Sequence, residues 1–340
     1  MSNPLADHTV IFSGPGHGPD YSSLIFRLSI EPGKQLSGFS QETKGFFMNI
    51  TIGIDIGGST TKIAAMDESQ ALLGTLQVSG SDPITTAYGA LGHFLSRYGM
   101  KLNQVRKIAL TGQRATFFHD DIYGIPTIHS DELLSVGRGG LHLAKLSRAL
   151  VVSMGTGTAF VRGDRTVESN DEKDIFRHIG GSALGGGTLM GLAGRMLQVR
   201  SFDTLNQMAQ RGDYRRADLM VSDLQDGDGA PLSGDLTAAN FGKIRDDAGD
   251  DDIAAALFHL IYENTGVFSV FALSGDTIRD VVITGSLAEL PQAQSAFDVF
   301  NRMPDIFRTR FILPDHAAFA PVIGALLDPR MLNDPFSGRL

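Results

Sequence analysis

From Asn49 the chain settles into strict alternation. In "ITIGIDI", Ile50, Ile52, Ile54 and Ile56 fall on one side of a strand and Thr51, Gly53 and Asp55 on the other. Gly57 and Gly58 then mark a turn, and "TTKIAAMD" runs back as a second strand. A helical stretch follows at about 82–98, a strand at 107–112 ("KIALTG") and a helix at about 131–146. "ALVVSMGTGTAFVRG" at 149–163 starts the order again, strand, glycine turn, strand, about 100 residues after its first appearance. "GGSALGGGTLMGLAGRML" at 180–197 predicts a glycine-rich loop entering a helix, with Leu189, Leu192 and Met196 near helical spacing. A long apolar helix is expected at 252–273, capped by the cluster Asp250–Asp252. "DVVITGS" at 280–286 reads as a buried strand and "APVIGALL" at 320–327 as a closing helix. The pattern predicts an α/β protein in two halves, each led by a strand hairpin and divided near 148–150.

Residues 1–47 stand apart. "SGPGHGPDYSS" is rich in turn formers, no helical or strand period runs through the segment, and Met48 stands directly before the first convincing strand. An appendage with little order is expected there, from a misassigned translation start or as a regulatory arm. The expected division is thus 1–47 as an extension, 48–149 as a first lobe and 150–340 as a second.

Composition narrows the chemistry. The chain has 340 residues, 42% hydrophobic and 20% charged, in the range of a globular protein with a substantial core. A net charge of −9 without a basic block argues against nucleic acid or an anionic membrane surface as partner. The absence of cysteine excludes disulfides, thiolate zinc sites, iron–sulfur clusters and cysteine nucleophiles, and fits a cytoplasmic location. No uninterrupted apolar run of about 18 residues predicts a membrane span, and "MSNPLADHTVIF" lacks the basic start and long apolar core of a signal peptide. The 40 glycines cluster at a few places, as in ligand-facing loops.

Those loops do not match the common nucleotide motifs. There is no G-x-x-x-x-G-K-[ST], and "GTGTAF" fails the dinucleotide pattern because Phe160 stands where the last glycine belongs. Backbone amides of a tight glycine turn can instead converge on phosphate oxygens, since no side chain blocks the approach. Turns at 57–61 and 155–158 could grip one triphosphate from two sides. Asp55 could hold Mg²⁺ through water, and Lys62, returning on the partner strand, could neutralise phosphate charge. Taken singly, the first turn reads better as a plain β-hairpin with a glycine tip; together with "SMGTGTAF" and "VVITGS" the phosphate reading is favoured.

Asp55–Lys62, Ser153–Ala159 and Ile283–Leu287 resemble the first phosphate hairpin, second phosphate hairpin and adenosine turn of the actin/hexokinase/Hsp70 ATPase superfamily. "SMGTGTAF", "GGSALGGGTLMGL", "SGDLTAANFG" and "APVIGAL" narrow the resemblance to the type II pantothenate kinases, the Fumble-like family, over roughly residues 49–327. The resemblance implies a two-lobed actin/hexokinase-like (ribonuclease H-like) fold with ATP in the interlobe cleft. It implies transfer of the γ-phosphoryl group of ATP to the primary hydroxyl of pantothenate, the first step towards coenzyme A. It places ATP contacts at Gly57, Gly58, Ser59, Thr60, Lys62, Gly155, Thr156, Gly157, Thr158, Gly185, Gly186, Gly187, Gly285 and Ser286. The family's catalytic glutamate lies seven residues before a helix glycine, and "ELLSVGRG" keeps that spacing between Glu132 and Gly139. Glu132 is therefore the expected base, acting beside Asp55, with Asp131 as fallback and a first-turn helix glutamate as the bland alternative.

Two departures bear on the substrate. The family has an arginine where this chain has His178, with Arg177 beside it, and a second glycine where this chain has Gln113. Arg177 or His178 is expected to meet the pantothenate carboxylate, though histidine lacks the planar fork of arginine. Thr237 and Asn240 are expected near the substrate or a dimer seam, or else in a loop where Asp235 or Thr237 caps a helix. The resemblance also implies a homodimer and leaves regulation by coenzyme A or acyl-coenzyme A open. Two other readings remain: a kinase of the same fold for another small hydroxyl compound, and a nucleotide-binding sensor with little turnover. Sugar kinases of the repressor/kinase type usually show a cysteine-rich zinc motif, and dehydratase-activating ATPases share the opening motif but need cluster-binding cysteines; this chain has no cysteine.

Overall fold

The computed structural model describes residues 49–58, 60–224 and 233–332. The expectations for residues 1–47 and for Ser59 lie outside the described residues. The chain forms two compact units: the described residues up to Ser135 together with those from Pro321 onward, and Val136–Ala320.

In the first unit, β1 (Ile50–Ile56), β2 (Thr60–Met66) and β3 (Leu72–Ser79) make an antiparallel meander. Helix α1 (Pro83–Arg97) follows, then β4 (Val105–Thr111), parallel to β1, and β5 (Thr127–His129), parallel to β4. The sheet order is β3-β2-β1-β4-β5. Helix α1 starts where Asp82 accepts the Thr85 amide at 2.7 Å and Pro83 fills the first helical position, whose N–H would lack a partner in any case. Its Ala87, Leu91 and Phe94 pack into one core with Ile50, Ile52 and Ile54. The opposite face of β1, which carries Gly53 and Asp55, is buried as well. A Cβ on Gly53 would stand 2.7 Å from Val322 Cγ2 and 2.8 Å from Val322 O. The small residue there admits a helix rather than water.

Helix α2 (Glu132–Ala144) leads to the second unit's sheet of β6 (Arg148–Met154), β7 (Thr158–Asp164), the single turn α3 (Glu172–Ile175) and β8 (Phe176–Ser182). Then come α4 (Gly186–Met196), α5 (Phe202–Arg211), the short pair β9 (Leu219–Met220) and β10 (Thr237–Ala239), and the long α6 (Asp250–Ala272). Next are β11 (Asp280–Thr284), α7 (Pro291–Asn301), α8 (Pro304–Phe307) and β12 (Arg310–Ile312), and the chain closes with α9 (Ala320–Leu326) and α10 (Pro329–Leu332). Here β6–β7 and β7–β8 are antiparallel, while β6–β11 and β11–β12 are parallel. The order β8-β7-β6-β11-β12 therefore repeats the topology of the first sheet.

Three expectations change. The division falls between Ser135 and Val136, inside α2, rather than at 149/150, and the C-terminal segment belongs to the first unit. The reason is packing: Gly137 and Gly140 of α2 lie against Phe176 and Val151 of the second sheet, and α9 covers β1. Second, Gly180 and Gly181 are not loop but strand, paired with Phe160 and Ala159 across β7–β8. Third, of the acidic trio at the start of α6, Asp252 is the one that caps, accepting the Gly249 amide at 3.0 Å and the Asp213 amide at 2.9 Å. By length and composition α6 could cross a membrane, but more than half of its apolar stretch is buried inside the second unit. Its Leu257, Phe258, Ile261 and Tyr262 join one core with Leu205 of α5 and Phe297 of α7. Towards its end Phe268 and Phe271 are exposed, and with Phe160 and Ile179 they line an apolar groove.

Candidate active site

In the first unit a buried carboxylate and a buried ammonium meet at the carboxyl end of β1. Asp55 and Lys62 are directly opposite each other in the β1–β2 hairpin, with Lys62 Nζ 3.7 Å from Asp55 Oδ2 and both residues buried. The turn between them is closed by the Gly57 amide donating to Thr60 O at 3.0 Å, so that amide is committed; Gly58 is exposed at the tip. Burial pushes the Asp55 carboxyl up, and the Lys62 ammonium pulls it partly back. On the other side of β1, Thr111 is in register with Asp55. Its hydroxyl is buried and has no hydrogen-bond partner among the described residues. A buried hydroxyl left unpaired costs about 1–3 kcal/mol. Next to it Gly112 has φ +91°, and a Cβ there would stand 2.5 Å from Asp55 Oδ1. The missing side chain keeps open the space around that oxygen. Gln113, the departure from a glycine pair, is exposed and starts a short 3₁₀ turn.

Glu132 is the first residue of α2. Burial raises its carboxyl above the ordinary glutamate range; the negative charges of Asp55 and then Asp131 raise it further, and Lys62 opposes them. Those couplings bring Glu132 into the electrostatic company of the Asp55–Lys62 pair. Asp131 has a different task. Its Oδ1 accepts the amides of Leu133 at 2.9 Å and Leu134 at 3.0 Å, which makes it the cap of α2. A carboxylate bound by the helix end is poorly placed to take a proton from a substrate, so the geometry separates the two neighbours.

In the second unit, the β6–β7 turn and the start of α4 are built as one piece. Gly155 N donates to Gly157 O at 2.9 Å, Gly186 N to Gly155 O at 2.8 Å, Gly187 N to Thr156 O at 2.9 Å, and the Thr158 hydroxyl to Leu184 O at 2.7 Å. A Cβ on Gly185 would meet Thr156 O at 2.6 Å. The amides of Gly186 and Gly187 are thus spent on holding the turn, and what α4 offers beyond is the positive end of its dipole. Gly285 has φ +92° and sits against Met154, where a Cβ would be 2.4 Å from Met154 O; Ser286 opens the 3₁₀ turn after it.

Arg177 and His178 occupy opposite faces of β8. His178 pairs with Val161 and Arg177 with Arg162. Val161 and Phe176 are on the face that α2 covers, so His178 shares that face and Arg177 lies on the other. "GDLTAANFG" is not a helix-capping loop. It forms β10, Asp235 pairs with Arg215 at 2.9 Å, and the motif is anchored to α6. Asn240 Nδ2 donates to Glu263 Oε2 at 3.0 Å and to Asp218 Oδ2 at 3.3 Å, while its Oδ1 accepts from Asn264 at 3.0 Å. The Thr237 amide reaches Glu263 Oε1 at 3.3 Å. Asp218, fully buried, also bonds His259 Nδ1 at 2.7 Å and the Phe241 amide at 2.7 Å.

Sequence reasoning missed Thr111, Asp218 and the ties of the C-terminal segment. A signal for the first existed: "LTG" at 110–112 and "ITG" at 283–285 end corresponding strands of the two units. Asp218 and the C-terminal contacts left none.

Two five-stranded sheets of one topology, each with a glycine hairpin and a positive-φ glycine after its fourth strand, define an actin/hexokinase-like ATPase fold. Solved structures carry the same fold. The activator of the 2-hydroxyisocaproyl-CoA dehydratase from Clostridium difficile, with bound ADPNP, superposes with a TM-score of 0.56 at 16% identity over 82% of this chain and 93% of its own. Component A of the Acidaminococcus fermentans (R)-2-hydroxyglutaryl-CoA dehydratase gives 0.56 at 16% identity over 82% and 96%. Within that fold, the chain belongs to the Fumble family, whose pattern its residues 142–328 match. A type II pantothenate kinase of Oceanobacillus iheyensis is 30% identical over 285 residues, covering 81% of this chain and 98% of the relative. One from Bacillus cereus (strain AH820) is 27% identical over 250 residues, covering 70% and 83%.

Proposed function

We propose that the chain is an ATP-dependent kinase that phosphorylates the primary hydroxyl of pantothenate, the first step of coenzyme A biosynthesis. Membership of a family whose relatives are type II pantothenate kinases supports this acceptor. The observation in the molecule that carries the reading is Glu132, a carboxyl raised by burial and coupled to the Asp55–Lys62 pair.

Phosphoryl transfer needs positioning and charge neutralisation more than covalent help from the protein. Glu132 takes the proton of the attacking hydroxyl on a carboxylate oxygen as the phosphorus–oxygen bond forms, and ADP leaves. Its raised pKa makes it a stronger base than an ordinary glutamate. Lys62 offsets phosphate charge. Gly58 and Thr60 present backbone to the phosphates, with Gly57 shaping their turn; Thr156, Gly157 and Thr158 do the same in the second unit. Gly155, Gly185, Gly186 and Gly187 hold that turn, and Gly285 and Ser286 take the adenosine end. Asp55 fits a magnesium ion held through water: it is a buried carboxylate beside an orphan hydroxyl, with a missing Cβ leaving room. Magnesium, when bound, supplies positive charge against the phosphate oxygens.

For the substrate carboxylate, His178 is proposed over Arg177, because it lies on the face that α2 covers. With the Asn240 amide engaged by three residues and the Thr237 hydroxyl donating only to the weak acceptor Met220 Sδ at 3.9 Å, Thr237 is proposed as the member of its motif that meets the substrate. We place the enzyme in the cytoplasm as a homodimer, with Phe268 and Phe271 at the end of α6 in the seam; neither nucleic acid nor a membrane is a partner, and coenzyme A species are candidate regulators.

The test is coupled ADP release with pantothenate, pantetheine and a sugar panel. Turnover is expected with pantothenate. Preference for a sugar would reassign the acceptor, and ATP binding without turnover on any acceptor would leave a sensor.

A further inference from the structure

We infer that Asp328 and Ser130 are positioning residues for Glu132, fixing the start of α2 from a point almost two hundred residues away in sequence. The inference rests on the reading of Glu132 as the base. Asp328 is 2% exposed, and a buried carboxylate is costly unless its oxygens are satisfied. Arg330 grips it as a fork, Nε to Oδ1 at 2.9 Å and Nη2 to Oδ2 at 2.8 Å. The same Nη2 donates to His129 O at 2.9 Å, one residue before Ser130. The Ser130 hydroxyl donates to Asp328 Oδ2 at 2.9 Å and lies 3.0 Å from the Ser135 hydroxyl.

Proton counting sets the direction of this chain. A carboxylate only accepts, and a hydroxyl has one proton. Ser130 therefore gives its proton to Asp328, and Ser135 gives its own to Ser130. Ser135 is fully buried in the first turn of α2, where its amide donates to Asp131 O at 2.9 Å. The Ser130 amide in turn is held by Leu110 O of β4 at 2.8 Å. Residues 129–135 are pinned on both flanks of Glu132, which leaves the glutamate its own side-chain torsions and little else. Catalytic groups must be held within about 0.5 Å of the productive geometry, and an apolar contact between α9 and β1 would stabilise the unit without fixing the backbone of residues 129–135. The buried polar chain fixes that backbone.

The experiment is a double-mutant cycle in the full-length enzyme: Asp328→Asn and Ser130→Ala, each alone and each combined with Glu132→Gln. Asp328→Asn alone is expected to lower kcat by about 10–100-fold, the scale of a misplaced reacting group, and Ser130→Ala by about 3–10-fold, the loss of one hydrogen bond. KM for ATP and pantothenate is expected to stay within about 2-fold, since these residues touch neither substrate. In the Glu132→Gln background neither change is expected to lower kcat further, because a residue acting through Glu132 has nothing left to position. Ser130→Thr, which keeps the hydroxyl, is expected to restore most of the rate. Losses that multiply undiminished in that background, or that fall on KM alone, overturn the inference. If Asp328→Asn does not fold by circular dichroism, the Ser130 pair decides by itself. Wild-type turnover in Glu132→Gln would instead remove the base assignment, a separate outcome.

Discussion

Glu132→Gln tests the chemistry at its centre. The change keeps the shape of the side chain and leaves Asp131 to cap α2, so the fold is expected to survive. Loss of a positioned general base lowers kcat by about 10²–10⁴-fold, about 3–5 kcal/mol on the barrier, with KM for ATP nearly unchanged. The environment adds a pH signature. Burial, then Asp55, then Asp131 raise the Glu132 carboxyl, and Lys62 opposes them. The base works only when ionised, so the acid limb of kcat/KM should fall at a pH above the ordinary glutamate value of about 4.3. Asp55→Asn removes a like charge and should move that limb to lower pH; Lys62→Met removes the opposing cation and should move it up. Stability follows the same sign. A carboxyl whose pKa is raised in the folded state disfavours folding above its unfolded pKa, and the penalty vanishes below it. Glu132→Gln should therefore melt higher than wild type at pH 8, and the gap should close towards pH 4. Coupled ADP release from pH 5 to 9 and thermal melts at the two pH values read both effects. Turnover within a few-fold of wild type, or an acid limb indifferent to Asp55 and Lys62, refutes the reasoning.

Gly112→Ala forces a Cβ into φ +91° and to 2.5 Å from Asp55 Oδ1; strain of about 1–3 kcal/mol is expected, read as a lower melting temperature with a fall in kcat as Asp55 is displaced. Asp131→Ala removes the cap and should cost about 1 kcal/mol of stability while lowering turnover far less than Glu132→Gln; equal losses would return Asp131 to candidacy as the base. Thr111→Val removes a buried hydroxyl that has no partner, so stability should hold or rise, whereas kcat should fall if that hydroxyl serves a group bound at Asp55. In the second unit the Thr284 hydroxyl donates to Val152 O at 3.1 Å, so Thr284→Val should instead cost about 1 kcal/mol, with kcat preserved.

Much of the scaffold could be read from residue spacing. Strands β1, β2, β6 and β7 announce themselves because apolar alternation meets a glycine turn, and α6 because it is long and nearly all apolar. Strand β8 hid because Gly180 and Gly181, poor strand formers, sit in its ladder opposite β7; tertiary pairing overrides local preference there. Strand β3 is an edge strand with one face only partly buried, and its alternation is weak. The unit boundary was misplaced because it lies inside a helix, where no change of composition marks it. In the site, the Asp55–Lys62 pair was legible because a tight hairpin fixes which residues stand opposite. The cap role of Asp131 and the opposed faces of Arg177 and His178 needed the backbone register. The Asp328–Ser130 contact was invisible because nothing local links residues so far apart.

The two units also explain each other. Asp55 is the next-to-last residue of β1 and is in register with Thr111, which precedes Gly112 at φ +91°. Ser153 is the next-to-last residue of β6 and is in register with Thr284, which precedes Gly285 at φ +92°. One backbone solution thus serves twice, and glycine is required both times because the conformation and the close approach to the neighbouring strand end exclude a side chain. What differs is the filling. In the second unit the position of Asp55 is a neutral serine and the threonine hydroxyl is satisfied. In the first it is a buried carboxylate beside an orphan hydroxyl, with Lys62 and Glu132 coupled to it. A buried carboxylate and an unmade hydrogen bond are costs that folding alone gives no reason to bear. At these two matching strand ends, the buried carboxylate and the partnerless hydroxyl belong to the first unit, and that difference is what the proposed role of Asp55 and Glu132 in phosphoryl transfer would explain.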